Sequence, residues 1–125
     1  METILYAPSW YWEIPYDERA KGRCGPGHGL GDKLVPEKNW GLSMTGACQI
    51  HDKMYERGKT ELDREEADRV FLNNMLRLVE ANSNFIMKPL RRQRALTYYA
   101  AVRDFGGPSF WNTKNRPEEW GSLGV

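Results

Sequence analysis

The fold of this chain is decided by residues 47–55, which read ACQIHDKMY. On a helix, its polar and reactive side chains fall at positions i, i+3, i+4 and i+7 of a single stripe; they belong to Cys48, His51, Asp52 and Tyr55. A stripe that served only to pack into a core would normally be aliphatic. The stretch therefore predicts a helix that lines up a thiol, an imidazole, a carboxylate and a phenol.

Three helices are predicted along the chain, each followed by glycine or asparagine. The first begins near residue 43 or 45, runs to about residue 56 and stops at Gly58. The second is capped by Thr60 or Asp63, since both begin a capping-box pattern, and reaches about residue 81. The third spans about residues 90–105, and the tail from residue 108 onward is predicted to be loop. Strand signals are sparse, so the predicted class is mainly α.

Asp68 is the unusual residue of the second helix. On a helical wheel it falls near the middle of an apolar arc, which consists of Ala67, Phe71, Leu72, Met75, Leu78 and Val79. A carboxylate in that position is costly unless it has a partner. We therefore expect Asp68 to face the first helix and to accept hydrogen bonds from His51 and Tyr55. Asp104 is a competing acid, but it points away from the apolar face of the third helix, which favours a solvated surface role.

Residues 22–31, which read GRCGPGHGLG, are rich in glycine and are therefore predicted to form an irregular loop. They lack the lysine of a phosphate-binding loop and do not stand between a strand and a helix. Glycine lets main-chain carbonyls turn toward one point, and carbonyl oxygens joined by a carboxylate are ligands that calcium prefers. The loop indicates either a calcium site or a plain turn-rich connection.

The chain has two cysteines, Cys24 in this loop and Cys48 one turn before His51. In an oxidising compartment they are natural partners for a disulfide, which would contribute on the order of 3 kcal/mol in the chain-entropy model. In a reducing compartment they would be small core residues instead. The residues by themselves leave both states open.

Length and charge narrow the class of protein. A chain of 125 residues is expected to form a single domain, residues 1–125. Its net charge of +1 supplies no field that would attract nucleic acid, so no nucleic-acid partner is expected. Neither a membrane-spanning run nor a secretory signal is visible. The aromatic rings of Trp10, Tyr11, Trp12 and Tyr16 are expected either to pack into the core or to contact lipid headgroups.

Two motifs together resemble the secreted phospholipase A2 superfamily. They are Cys-Gly-x-Gly at residues 24–27 and Cys-x-x-His-Asp-x-x-Tyr at residues 48–55. The Gly-Pro-Gly sequence at residues 25–27 and the sequence ADRVF at residues 67–71 also resemble the shorter phospholipase A2-like domains of parvovirus capsids and some microbial enzymes. The resemblance covers residues 22–79, and the third helix and the tail are not matched.

This resemblance implies a mainly α, three-helix domain with antiparallel catalytic helices and a glycine-rich calcium-binding loop. It implies an enzyme that uses calcium to hydrolyse the sn-2 acyl ester of glycerophospholipids, with a phospholipid membrane surface as its substrate. His51 would be the general base that activates water, Asp68 would orient it, and Tyr55 would hydrogen-bond in the same network.

The resemblance also implies a calcium site and a disulfide. Calcium (Ca2+) would be held by Asp52 together with the main-chain carbonyls of Arg23, Gly25 and Gly27, and Cys24 would be bridged to Cys48. The sequence departs from the animal enzymes of the family, because Ala47 and Met54 stand where two more cysteines would be and Arg23 replaces an aromatic residue. At most one disulfide is therefore expected, and the helices must supply the stability.

Two other functions remain open from the sequence. His28, His51, Asp52 and Asp104 could ligate a metal in an HD-type phosphohydrolase, although that leaves the cysteine spacing and Asp68 unexplained. The chain could also be a non-catalytic lipid-binding or virion-associated module. The expected localisation is secreted, exported or virion-associated without a visible signal peptide, with the cytoplasm left open. The oligomeric state is undetermined and compatible with a monomer.

Overall fold

A computed structural model describes residues 3–21 and 38–111 of the chain. The described part is mainly helical, as predicted. Its elements in chain order are α1 Ser9–Glu13, α2 Tyr16–Arg19, β1 Lys38–Asn39, β2 Leu42–Ser43, α3 Thr45–Arg57, α4 Glu61–Asn82, α5 Met87–Phe105 and α6 Gly107–Trp111. The two short strands pair antiparallel, with Lys38 opposite Ser43 and Asn39 opposite Leu42. No helix in the described ranges is long and apolar enough to cross a membrane.

Helices α3 and α4 have the ends that the sequence predicts. Helix α3 ends at Arg57, and the backbone of the following residue, Gly58, is extended, with φ −65° and ψ 150°. Helix α4 begins after Thr60, whose hydroxyl oxygen accepts a hydrogen bond from the Asp63 amide at 3.1 Å. The Asp63 carboxylate accepts one in return from the Thr60 amide at 3.1 Å. Thr60 is therefore the cap of a capping box, and Asp63 is its third residue.

The predictions for the third helix and the tail were wrong at their boundaries. Helix α5 begins at Met87, before the predicted start, and the side chain of Asn84 just ahead of it accepts hydrogen bonds from the amides of Ile86 and Met87. Pro89 lies in that first turn, where a missing amide hydrogen costs nothing. Residues 107–111 form a short helix rather than a loop, and its Phe110 and Trp111 are buried.

The core lies between α3, α4 and α5. Because only residues 58–60 connect α3 to α4, the two helices run antiparallel and pack along their length. One cluster of buried side chains lies toward the start of α3; it comprises Met44, Ala47, Cys48, Phe71, Met75, Ala95, Tyr98 and Val102. A second lies toward its end; it comprises Tyr11, Ile50, Met54, Tyr55, Ala67, Val70, Phe110 and Trp111.

Asn74 ties the N-terminal segment to this core. Its side chain is fully buried and accepts a hydrogen bond from the Tyr6 amide at 2.7 Å while donating one to the Tyr6 carbonyl at 2.8 Å. The wheel of α4 gave no role to Asn74, because its partner is a backbone segment 68 residues away. These two hydrogen bonds hold the N-terminal segment on the helix bundle.

Candidate functional site

Asp68 accepts two hydrogen bonds from α3. Its Oδ1 atom lies 2.8 Å from Nε2 of His51 and 2.6 Å from the hydroxyl oxygen of Tyr55. The residue is only 2 % exposed, so the carboxylate has exchanged water for these donors. The predicted contacts of Asp68 with His51 and Tyr55 are thereby confirmed.

The antiparallel packing of α3 on α4 produces this arrangement. His51 and Tyr55 lie one turn apart on the same face of α3, and Asp68 lies on the facing side of α4. The imidazole is packed between two rings: its centroid is 4.2 Å from that of Tyr55 and 4.5 Å from that of Phe71. The His51 side chain keeps 12 % of its surface exposed. The ring is held firmly but remains reachable from solvent.

The partners of His51 determine which of its nitrogens carries the hydrogen. An ionised carboxylate can only accept, so Nε2 must be the donor in the bond to Asp68. In the neutral imidazole, Nδ1 then carries the lone pair. This tautomer of His51 suits a general base that takes a proton at Nδ1. The positive charge of the imidazolium that forms then lies next to the Asp68 carboxylate.

Tyr55 is a permanent donor in this network. Burial raises the pKa of its phenol well above the ordinary value, and the negative charge of Asp68 raises it further. The phenol therefore stays protonated at every physiological pH, and its O–H donates to the carboxylate.

Asp52 follows His51 directly and lies half-buried. Burial raises the pKa of its carboxyl group above the ordinary range, and the nearby charge of Glu56 adds to the rise, while His51 and Lys53 act in the opposite direction. Within the described part of the chain, no side chain donates a hydrogen bond to this carboxylate. A half-buried carboxylate beside a second acid suits a hard cation, so Asp52 fits a calcium ligand by its chemistry.

The remaining predicted ligands cannot be placed beside Asp52. Arg23, Gly25 and Gly27 lie outside the described residues, as do Cys24 and His28. The calcium loop and the disulfide between Cys24 and Cys48 therefore stay predictions. In residues 3–21 and 38–111, no group of three or more His, Cys, Asp or Glu side chains is placed to hold a metal ion. The predicted calcium site does not depend on such a group, because it uses one carboxylate and three main-chain carbonyls.

Asp104 occupies the surface position that its wheel predicts. Its side chain is 53 % exposed and accepts a hydrogen bond from Nε of Arg103 at 3.3 Å. It has no hydrogen bond with His51 in the described structure. Asp68, rather than Asp104, is the acid that contacts the imidazole.

The N-terminal aromatic residues divide between core and surface. Tyr11 is 3 % exposed and packs against α3, whereas Trp12 and Tyr16 are 52 % and 75 % exposed. The Arg19 guanidinium lies over all three rings, 5.4–5.6 Å from their centroids. Trp12 and Tyr16 are thus the rings available to contact lipid, and Tyr11 is a core residue.

Arg64 is the member of this region that the sequence reasoning missed. It lies four residues before Asp68, on the same face of α4, and that spacing is the signal that could have identified it. Phe71, three residues after Asp68, was placed on the apolar arc without a role, and its ring lies against the imidazole.

Comparisons with known proteins add no family assignment: no protein-family model, curated protein or solved structure matches the chain. The arrangement of His51, Asp68 and Tyr55 is therefore interpreted on its own chemistry and on the motifs of the sequence.

Proposed function

We propose that this protein is a calcium-dependent phospholipase A2-like enzyme that hydrolyses the sn-2 acyl ester of glycerophospholipids, releasing a fatty acid and a lysophospholipid. The observation that carries the proposal is the buried Asp68 carboxylate, which holds His51 at 2.8 Å and Tyr55 at 2.6 Å. A purely structural histidine does not need a buried acid and a second donor to fix its tautomer.

His51 supplies the base chemistry in this proposal. Its Nδ1 takes a proton from a water molecule as the water oxygen attacks the ester carbonyl. Asp68 stabilises the imidazolium that forms, as Tyr55 keeps that carboxylate in place. As the bond between the carbonyl carbon and the sn-2 oxygen breaks, the imidazolium returns the proton to that oxygen, which leaves as the alcohol of the lysophospholipid. The fatty acid is released and His51 is neutral again.

Asp52 and the main-chain carbonyls of Arg23, Gly25 and Gly27 would hold calcium in the proposed three-helix phospholipase A2-like domain. Bound there, the ion would supply positive charge that polarises the ester carbonyl. The half-buried, negatively charged Asp52 beside His51 supports this assignment, since it needs a cation to offset its burial. A membrane surface is the expected source of the substrate.

Fatty-acid release from vesicles of mixed phospholipids tests the proposal. It should occur with calcium and stop with EDTA, and His51→Gln should remove nearly all of it while the variant stays folded. If that variant keeps a rate within about tenfold of the original, which corresponds to about 1.4 kcal/mol, His51 is not the base. Activity on phosphate esters with zinc or manganese would favour an HD-type phosphohydrolase. Vesicle binding without release would favour a non-catalytic module.

A further inference from the structure

Two turns at one end of the bundle expose large apolar side chains. The turn between α4 and α5 carries Phe85 and Ile86, which are 85 % and 61 % exposed, and Leu90 is exposed one turn further along α5. The turn between β1 and β2 carries Trp40, which is 48 % exposed. Single exposed apolar residues are ordinary, whereas a group of them on one surface marks an interaction site. We call the group of Trp40, Phe85, Ile86 and Leu90 the apolar tip.

Arg91 fixes the two turns side by side. Its Nη1 atom donates to the Asn82 carbonyl at 3.1 Å and to the Ser83 hydroxyl at 3.0 Å. Its Nη2 atom donates to the Trp40 carbonyl at 2.9 Å. The neighbouring Asn39 is fully buried, and its Nδ2 atom donates to the Arg91 carbonyl at 2.7 Å. The exposed residues of the two turns therefore belong to one surface.

Positive charge is concentrated beside the apolar tip. Residues 81–102 contain no acid and four basic residues, which are Lys88, Arg91, Arg92 and Arg94. The preceding acid, Glu80, is shared by Lys88 at 3.3 Å and Arg92 at 2.7 Å, so the group keeps a net positive charge. Arg94 lies over the Trp40 ring at 5.4 Å, and within the described residues no carboxylate pairs with Arg91 or Arg94. Because the whole chain has a net charge of only +1, the rest of the molecule is net negative.

We propose that the apolar tip and its four basic neighbours form a docking surface for a membrane that contains anionic lipids. Aromatic and aliphatic side chains on exposed turns enter the headgroup region, while lysine and arginine stay at the level of the lipid phosphates. The unpaired arginines complement the negative charge of such a surface. A second copy of the chain is a poorer occupant, since a symmetric contact would bring the same cations against each other.

This docking surface is separate from the rings of Trp12 and Tyr16. Those rings share the Arg19 guanidinium and lie in a stretch that also contains Glu13, Asp17 and Glu18. Their stretch therefore has no excess of positive charge. Dependence of binding on anionic lipid is the property that distinguishes the apolar tip from them.

Sedimentation of the full chain with lipid vesicles in EDTA tests the docking surface. Vesicles of phosphatidylcholine with about 30 % phosphatidylglycerol should bind the protein at least about tenfold more tightly than vesicles of phosphatidylcholine alone. Raising the salt concentration from about 0.1 M to about 0.5 M should weaken binding to the anionic vesicles, because salt screens the attraction. Equal binding to both kinds of vesicle, or binding to neither, overturns the proposal.

A pair of charge reversals tests the basic residues. Arg94→Glu should weaken binding to the anionic vesicles at least about tenfold, because it replaces an attraction with a repulsion. Arg69→Glu is the matched control, since it changes the net charge equally on α4, where Arg69 pairs with Glu66 at 3.0 Å. Binding of this control should stay within about threefold of the wild type. Equal losses in the two variants would show that only the net charge matters and would overturn the proposal.

A second pair of variants tests the apolar tip. Phe85→Ser should weaken binding to the anionic vesicles at least about fivefold, because the ring no longer enters the headgroup region. Leu62→Ser is the matched control: Leu62 is 75 % exposed, but it lies between Glu61 and Asp63. Its binding should be unchanged, and a loss equal to that of Phe85→Ser contradicts the proposal. Should Phe85→Ser fail to fold, Ile86→Ser takes its place.

The docking surface does not rest on the proposed function. Vesicle binding by His51→Gln should equal that of the wild type, so a protein that binds anionic vesicles but hydrolyses nothing keeps the docking surface and loses the enzyme. Hydrolysis with binding that ignores lipid charge has the opposite meaning. A dimer in sedimentation equilibrium that Phe85→Ser dissociates would assign the tip to a second copy and overturn the proposal. Tight binding to polyglutamate that Phe85→Ser weakens equally would assign the tip to an acidic protein instead.

Discussion

Replacing Tyr55 with phenylalanine isolates one hydrogen bond of the candidate site. The substitution removes the hydroxyl that donates to Asp68 at 2.6 Å and leaves the ring, which packs against Phe110 at a centroid distance of 5.1 Å. His51 still donates to the carboxylate, so Asp68 keeps one of its two α3 donors. The variant therefore tests the phenol without emptying the core.

The expected loss of stability follows from the charge and burial of the acceptor. A buried hydrogen bond to a charged group is worth about 2 kcal/mol, whereas a neutral one contributes about 1 kcal/mol. Tyr98→Phe is the matched control, because Tyr98 is equally buried but donates to a neutral carbonyl, that of Lys38, at the long distance of 3.4 Å. We expect Tyr55→Phe to lower the free energy of unfolding by about 2 kcal/mol and Tyr98→Phe to lower it by less than about 1 kcal/mol.

Urea denaturation of both variants and of the wild type measures these free energies. Fatty-acid release from vesicles, measured in parallel, should fall about tenfold in kcat/KM for Tyr55→Phe, because the carboxylate that orients His51 is held by one donor fewer. Tyr98→Phe should leave the activity unchanged. If the two variants lose equal stability and equal activity, the bond between Tyr55 and Asp68 is no stronger than an ordinary neutral bond, and the reasoning about the site fails.

Three other predictions concern the same site and the surface beside it. The raised pKa of Tyr55 keeps the phenol protonated in the folded state, whereas the unfolded chain loses this proton near pH 10. The free energy of unfolding should therefore fall as the pH rises above about 10. Denaturation midpoints measured across this pH range should fall less in Tyr55→Phe than in the wild type. Burial also raises the pKa of Asp52, so the stability that its carboxyl group contributes is fully present below the ordinary pKa of 3.8 and is lost as the pH rises through the raised pKa of the folded state. Asp52→Asn should therefore raise the melting temperature in EDTA at pH 7. The same variant should weaken calcium binding in a calorimetric titration, and unchanged binding would place the ion elsewhere. Trp12→Ala should reduce binding to phospholipid vesicles without slowing hydrolysis of a short monomeric ester. An equal loss of vesicle binding and of monomer hydrolysis would show that the exposed ring has a structural role instead.

The sequence by itself determined the local features of this protein. The end of α3 and the start of α4 depend on Gly58, Thr60 and Asp63, whose preferences act over a few residues of backbone. The contact of Asp68 with His51 was also predictable. A carboxylate in the middle of an apolar arc requires a donor, and a connection of only a few residues brings the neighbouring helix against it in antiparallel orientation.

Only the tertiary structure decided which distant groups join the separate segments of the bundle. Arg64 reaches carbonyls 38 and 39 residues away, and Asn74 holds a backbone segment 68 residues away. No propensity or periodicity specifies such partners, because they depend on how separate helix ends pack. The short helix 107–111 has the same cause: a loop was predicted from residue 108 onward, and the burial of Phe110 and Trp111 against the bundle outweighs that local preference.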